Sequence, residues 1–344
     1  MRIDLDRRRF LSTAAATLAG LEVGMLGATK SLVRGMGIAG DSELQALRGA
    51  TAWLNTPPLS PDGLRGKVVL VDFCTYTCIN WLRTLPYVRA WAEKYGEHGL
   101  VVIGAHTPEF VFERDVENVR RAIAAMRVQY PIAVDNDYAV WNGFSNQYWP
   151  ALYLIDEKGA IRFTHFGEGA YDESEQMIQK VLGDAGASGF ARELVTVDAP
   201  GIEAAADWDN LRSPETYLGS EQGENFVRSA ARLRLNEWTV AGDWTLGSKA
   251  VVLKQPNGRI AYRFHARDVN LVMGPTGRGA SVRYRVRIDG QPTRGGADVD
   301  AQGQGVVTEQ RTYQLVRQAP PIEDRQFEIE FLAAGVEAFC FTFG

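Results

Sequence analysis

The chain has 344 residues, 45% hydrophobic and 23% charged, which fits about two ordinary globular domains and excludes a largely disordered chain. The formal net charge is −5. Residues 1–40 hold six basic and three acidic side chains, so the remainder carries −8, and nucleic acid is excluded as a partner because phosphate binding needs a basic face. Three cysteines, Cys74, Cys78 and Cys340, are too few for a disulfide framework, and no uninterrupted apolar run reaches the ~20 residues of a membrane helix.

The N-terminus reads Asp6-Arg7-Arg8-Arg9-Phe10-Leu11-Ser12, and an Ala-rich, mildly apolar stretch follows to Ala28. Paired arginines before Phe-Leu resemble a twin-arginine export signal, so residues 1–40 are set aside from the fold. Gly37-Ile38-Ala39 fits a cleavage site loosely. An uncleaved anchor and a plain amphipathic helix are the alternatives. The expected location is the periplasm or cell envelope, where conditions are oxidising.

Residues 45–185 read as a layered α/β domain. Lys67 to Phe73 is a continuous apolar run ending at a polar turn, which suits a strand buried on both faces. From Cys78 onward, Ile79, Leu82, Leu85, Val88 and Trp91 recur at three-residue steps and predict a helix. Leu100 to Ala105 predicts a second buried strand, Glu113 to Val128 an amphipathic helix, and Pro131 to Val134 a short strand. Ala151 to Ile155 and Ala160 to Phe166 flank Glu157-Lys158-Gly159 as a hairpin, and Tyr171 to Leu182 closes the domain as a helix.

Residues 186–210, rich in Ala, Gly and Asp, predict a linker. Residues 211–344 carry short, often alternating runs: 251–253, 259–264, 269–273, 281–288, 311–316, 326–332 and 338–343. Gly, Asn, Asp and Pro separate them, which predicts an all-β sandwich. Phe339, Phe341 and Phe343 alternate, so they are expected to fill one face, with Cys340 structural on the other. Trp208, Trp238 and Trp244 are candidate sugar-stacking aromatics, with a core role as the competing reading.

Several residues then fall into one layout. Asp72 lies six positions before Cys78, Pro86 eight after it, and Pro150 opens a later strand. Trp53-Leu54-Asn55, Pro57-Pro58-Leu59, Leu64-Arg65-Gly66-Lys67-Val68-Val69-Leu70, Cys78-Ile79-Asn80, His106-Thr107-Pro108-Glu109-Phe110 and Tyr148-Trp149-Pro150-Ala151 accompany them. Together they resemble the extracytoplasmic thioredoxin-like domain of DipZ-type proteins, relatives of the TlpA-like redoxins of cytochrome c maturation. The resemblance extends into the carbohydrate-module-like sandwich through Ser213-Pro214-Glu215-Thr216-Tyr217-Leu218-Gly219, Gly242-Asp243-Trp244, His265-Ala266-Arg267-Asp268-Val269 and Phe341-Thr342-Phe343-Gly344. It implies a thioredoxin-like fold, thiol–disulfide exchange without a cofactor, and Cys78 as nucleophile. It further implies Asp72 as a buried proton shuttle and a cis peptide at Trp149–Pro150 against the sulfur; Trp81, Trp149, Glu109 and His106 are the candidate substrate-binding residues. The implied partners are a protein thiol or disulfide and a membrane redox protein, with a cell-wall glycan as candidate ligand of the sandwich.

One departure matters. The family site is Cys-Ile-Asn-Cys with a Trp four residues upstream; here it is Cys78-Ile79-Asn80-Trp81, with Cys74 upstream. A mixed disulfide needs a second thiol to resolve it, and Trp81 supplies none. Three chemistries stay open. Cys74 resolves; or Cys78 acts alone as a monothiol or peroxidatic cysteine; or Cys74 and Cys78 hold copper(I), as in the Sco proteins that the Cys-x-x-x-Cys spacing resembles, with His106 as the candidate third ligand. A redox-inactive binding scaffold is the non-enzymatic alternative. A helix N-terminus favours a thiolate, so a depressed pKa is expected for Cys78.

Overall fold

The computed structural model describes residues 40–344 apart from 222, 229–231 and 294, so the Arg7-Arg8-Arg9 signal lies outside the described residues. The chain forms two compact units. One takes the residues up to Phe73 with Lys94–Thr107 and Tyr130–Arg192; the other takes Cys74–Glu93, Pro108–Gln129 and Glu193–Gly344.

In chain order the first half carries α1 (Gly40–Gln45), β1 (Ala52–Leu54), α2 (Pro61–Leu64), β2 (Val68–Cys74), α3 (Ile79–Tyr95), β3 (Leu100–His106), α4 (Val116–Ala125), β4 (Ile132–Val134), α5 (Ala139–Gly143), β5 (Ala151–Ile155), β6 (Ile161–Phe166) and α6 (Tyr171–Asp184). The six strands form one sheet in the order β1-β4-β3-β2-β5-β6. β3 and β4 run parallel, whereas β5 is antiparallel to β2 and β6. This is a thioredoxin-like α/β sheet extended by β1, which pairs antiparallel with β4. All seven residues of β2 are buried, as its unbroken apolar run requires. Val69, Val71, Phe73, Ile103, Ala133, Tyr153 and Ile155 form the core of this unit. Gly143 and Gly49 let α5 lie against the turn at Ala46–Gly49: a Cβ on Gly143 would stand 2.2 Å from that of Ala46. The helix expected from Glu113 is split. Val111–Arg114 form a 3-10 turn, and Asp115 then caps α4 by accepting from the Glu117 N–H at 2.9 Å.

The second half is all β. β7 (Thr216–Tyr217), β8 (Trp238–Ala241), β9 (Trp244–Leu246), β10 (Val251–Leu253), β11 (Gly258–Phe264) and β12 (Asp268–Pro275) come first. β13 (Val282–Ile288), β14 (Gln291–Pro292), β15 (Gln304–Val307), β16 (Arg311–Arg317), β17 (Arg325–Phe331) and β18 (Val336–Phe343) follow. One sheet runs β16-β12-β18-β10-β9 with β7 on β18; the other runs β14-β13-β17-β11-β8 with β15 on β13. Tyr262, Phe264, Leu271, Tyr284, Tyr313, Phe327, Phe331, Phe341 and Phe343 fill the space between them. Phe339 does not join that core. The β12–β18 register shifts between Val272, opposite Cys340, and Met273, opposite Ala338. That bulge breaks the alternation on which the sequence expectation rested. Of the three candidate aromatics, Trp238 is core, Trp244 is half-buried with its indole N–H donating to the Ala241 carbonyl, and Trp208 is exposed.

Candidate active site

β2 delivers the chain to a tight turn, where the Cys78 N–H donates to the Thr75 carbonyl at 3.1 Å. Cys78 then caps α3: its own carbonyl accepts from the Leu82 N–H at 2.9 Å. All three cysteines are thiols; Cys74 and Cys340 are each 1% exposed, while Cys78 is half-buried. The thiol of Cys340 donates to the Phe341 carbonyl at 3.4 Å inside β18, a structural setting.

Two effects compete at the Cys78 sulfur. Desolvation pushes its pKa up, and the carboxylates of Glu109 and Glu215 push it further in the same direction. The backbone N–H groups of Trp81 and Asn80, aimed at the sulfur from the first turn of α3, pull it down. Burial and the two carboxylates win, and the thiol's pKa is pushed well above its ordinary range. The expectation of a depressed pKa is thereby corrected, because the helix terminus is only part of the field at this sulfur.

Glu113 ties the turn together. One carboxylate oxygen accepts from the Thr77 N–H at 3.3 Å and hydroxyl at 2.6 Å; the other accepts from the Glu109 and Phe110 N–H groups at 2.7 and 2.8 Å. Burial and the neighbouring Glu109 charge raise its pKa from 4.5 to about 7 against these donors. The sandwich supplies further contacts. The Thr312 hydroxyl on β16 donates to the Thr77 carbonyl at 2.7 Å, and Arg83 on α3 donates to the Phe343 carbonyl at 2.9 Å. Phe339 packs its ring 5.3 Å from Phe110 and 4.9 Å from Phe112. The Tyr217 hydroxyl donates to the Glu109 carboxylate.

The remaining expected residues occupy the ends of the α/β sheet. Asp72 is fully buried on β2, opposite Leu152. His106 ends β3, and burial lowers its pKa to about 4, so its ring is neutral at physiological pH. The Trp149–Pro150 peptide is cis, the Pro150 carbonyl accepts from the Gly167 N–H at 2.9 Å, and Trp149 packs on Trp141 at 4.3 Å. Trp81 and His106 are each 1% exposed, and the backbone N–H of Trp81 faces the sulfur. Among the described residues no three His, Cys, Asp or Glu side chains form a metal-holding group.

Sequence reasoning missed Glu113, Glu215, Tyr217 and Thr312 as site residues. Glu113 carried a faint signal, since an acid three residues after a turn start can reach back to that residue's N–H, as it does to Phe110. The others lie more than a hundred residues downstream. Pairing of β7 with β18, Tyr217 opposite Cys340, sets Tyr217 in place.

Residues 213–344 match the family described as thioredoxin-like C-terminal domain. The chain is 38% identical to the DipZ protein of Mycobacterium bovis over 261 residues, covering 72% of this chain and 36% of that one. It is 28% identical to the thiol-disulfide oxidoreductase YkuV of Bacillus subtilis, covering 40% of this chain and 93% of that one. The crystal structure of a thiol-disulfide isomerase from Corynebacterium glutamicum superposes with a TM-score of 0.37 at 25% identity, covering 39% of this chain and 92% of that one. The chain spans about a third of the length of its DipZ relatives. Sheet, helix-capping cysteine and cis-proline loop define a thioredoxin-like fold. With a β-sandwich behind the thioredoxin-like fold, the chain is a homologue of the DipZ proteins over 72% of its length.

Proposed function

We propose that the protein is an extracytoplasmic thiol–disulfide oxidoreductase that works through Cys78, with the chemistry of a single partly exposed thiol. The observation that carries this reading is that Cys78 has exposed surface at the cap of α3 whereas Cys74 and Cys340 are sealed. The Cys78 thiolate attacks one sulfur of a substrate disulfide. A bond forms between Sγ and that sulfur, the substrate's own S–S bond breaks, and the departing thiolate takes up the proton that Cys78 gave up. An external thiol then attacks the mixed disulfide and restores Cys78, because Trp81 stands where the resolving cysteine of the family stands. A membrane redox protein is the fitting source of that thiol. The Arg7-Arg8-Arg9-Phe10-Leu11 segment supports export to the compartment where such exchange is useful. No helix among the described residues is long and apolar enough to cross a membrane.

The test is thiol-driven reduction of a protein disulfide. Cys78→Ser is expected to abolish catalysis and Cys74→Ser to retain most of it. Equal rates for Cys78→Ser and the unaltered protein would end the proposal. Loss in both variants, with a two-mass-unit decrease on oxidation, would make Cys74 the resolver.

A further inference from the structure

The two charged side chains that act most strongly on the Cys78 sulfur come from distant parts of the chain, and both are carboxylates. Glu109 is half-buried and held from two sides. Its N–H donates to Glu113, which also takes both donors of Thr77, the residue before Cys78. Its carboxylate accepts from the Tyr217 hydroxyl. Glu215, exposed, immediately precedes β7, the strand that β18 fixes through the Tyr217–Cys340 pair. Thr312 locks the same turn from β16 by its bond to the Thr77 carbonyl. One wall of the thiol site is therefore built by the sandwich, and its charge is negative.

Resting on the Cys78 reading above, we infer that Glu109, oriented by Tyr217, and Glu215 are specificity-determining residues that select disulfides carrying a positive charge beside the sulfur–sulfur bond, such as a cystine flanked by Lys or Arg. An anionic disulfide meets two like charges on approach, whereas a cationic one is steered in and neutralises the pair. In neutralising it, the substrate also relieves the field that disfavours the Cys78 thiolate, so binding and ionisation are coupled. The exchange step keeps the balance given above: Cys78–SH and RS–SR give Cys78–S–SR and RSH, with no further oxidant.

The experiment compares three small disulfides on the reduced full chain: cystamine, which is cationic, 2-hydroxyethyl disulfide, which is neutral, and 3,3′-dithiodipropionate, which is anionic. Rates of adduct formation at Cys78 are read by intact mass, with Cys78→Ser as control. At low salt, cystamine is expected to react about tenfold or more faster than the anionic disulfide, with a smaller ratio at high ionic strength. Glu109→Gln with Glu215→Gln is expected to bring the ratio close to that of a free thiol, and Tyr217→Phe, which keeps the ring packing, to reduce it partly. A ratio that the double variant leaves unchanged, or equal rates with all three disulfides, overturns the carboxylate selection while leaving exchange at Cys78 intact. No Cys78 adduct with any of the three overturns the exchange reading and the selection together.

Discussion

Glu113 satisfies four donors from three residues while itself carrying no exposed surface. The donors favour its ionised form; burial and Glu109 favour the protonated one and prevail, raising the pKa from 4.5 to about 7. Because the folded value lies above the unfolded one, the stability contributed by the protonated group is complete below about pH 4.5 and is lost as pH rises through 7. Across that window the loss is on the order of 3 kcal/mol. Glu113→Gln has no proton to exchange, and its amide N–H₂ must face one of the N–H pairs. We therefore expect a lower unfolding free energy at every pH but a shallower decline between pH 5 and 8, measured by urea denaturation. Identical slopes for the two proteins would contradict this assignment. Little of it was legible from the amino-acid pattern, in which Glu113 reads as the first residue of an amphipathic helix. What placed it at the site is the break at Asp115, which turns Val111–Arg114 into a separate 3-10 turn.

At the scale of elements, period and burial carried most of the reading. β2 and β3 were legible because strands buried on both faces must be apolar throughout, and α3 because its apolar residues recur on one face. The cis peptide at Trp149–Pro150 followed from family resemblance alone. Three-residue β1 and five-residue α5 are too short to show a period. β18 failed differently. Its alternating phenylalanines imply one face, but the bulge opposite Val272 and Met273 sends Phe339 to the Phe110 and Phe112 rings instead. Phe339→Ala is accordingly expected to cost about 3 kcal/mol in urea unfolding, in the range of buried phenylalanine truncations. Since Phe110 adjoins Glu109, the same variant is expected to blunt discrimination between cationic and anionic disulfides. A cost under about 1 kcal/mol, as for a surface residue, would show that the rings do not pack as described.

At the scale of the molecule, sequence suggests two consecutive domains, whereas the compact units cut across that division. Cys74–Glu93 and Pro108–Gln129 cluster with the sandwich. Hydrogen bonds from Thr312 to Thr77 and from Arg83 to Phe343, and the Arg89–Glu203 ion pair at 2.6 Å, join stretches over a hundred residues apart. Linear patterning cannot reveal such pairings, because each partner alone reads as an ordinary polar residue. The consequence is that the thiol turn, its carboxylates and the strands that hold them belong to one compact unit. The most direct measurement is intact mass with peptide mapping of the reduced full-length protein after incubation with a neutral disulfide, followed by an added thiol. We predict a single mixed-disulfide adduct, located on Cys78, that the thiol removes. An unmodified Cys78, or an adduct confined to Cys74 or Cys340, would contradict the assignment of Cys78 as the reacting thiol.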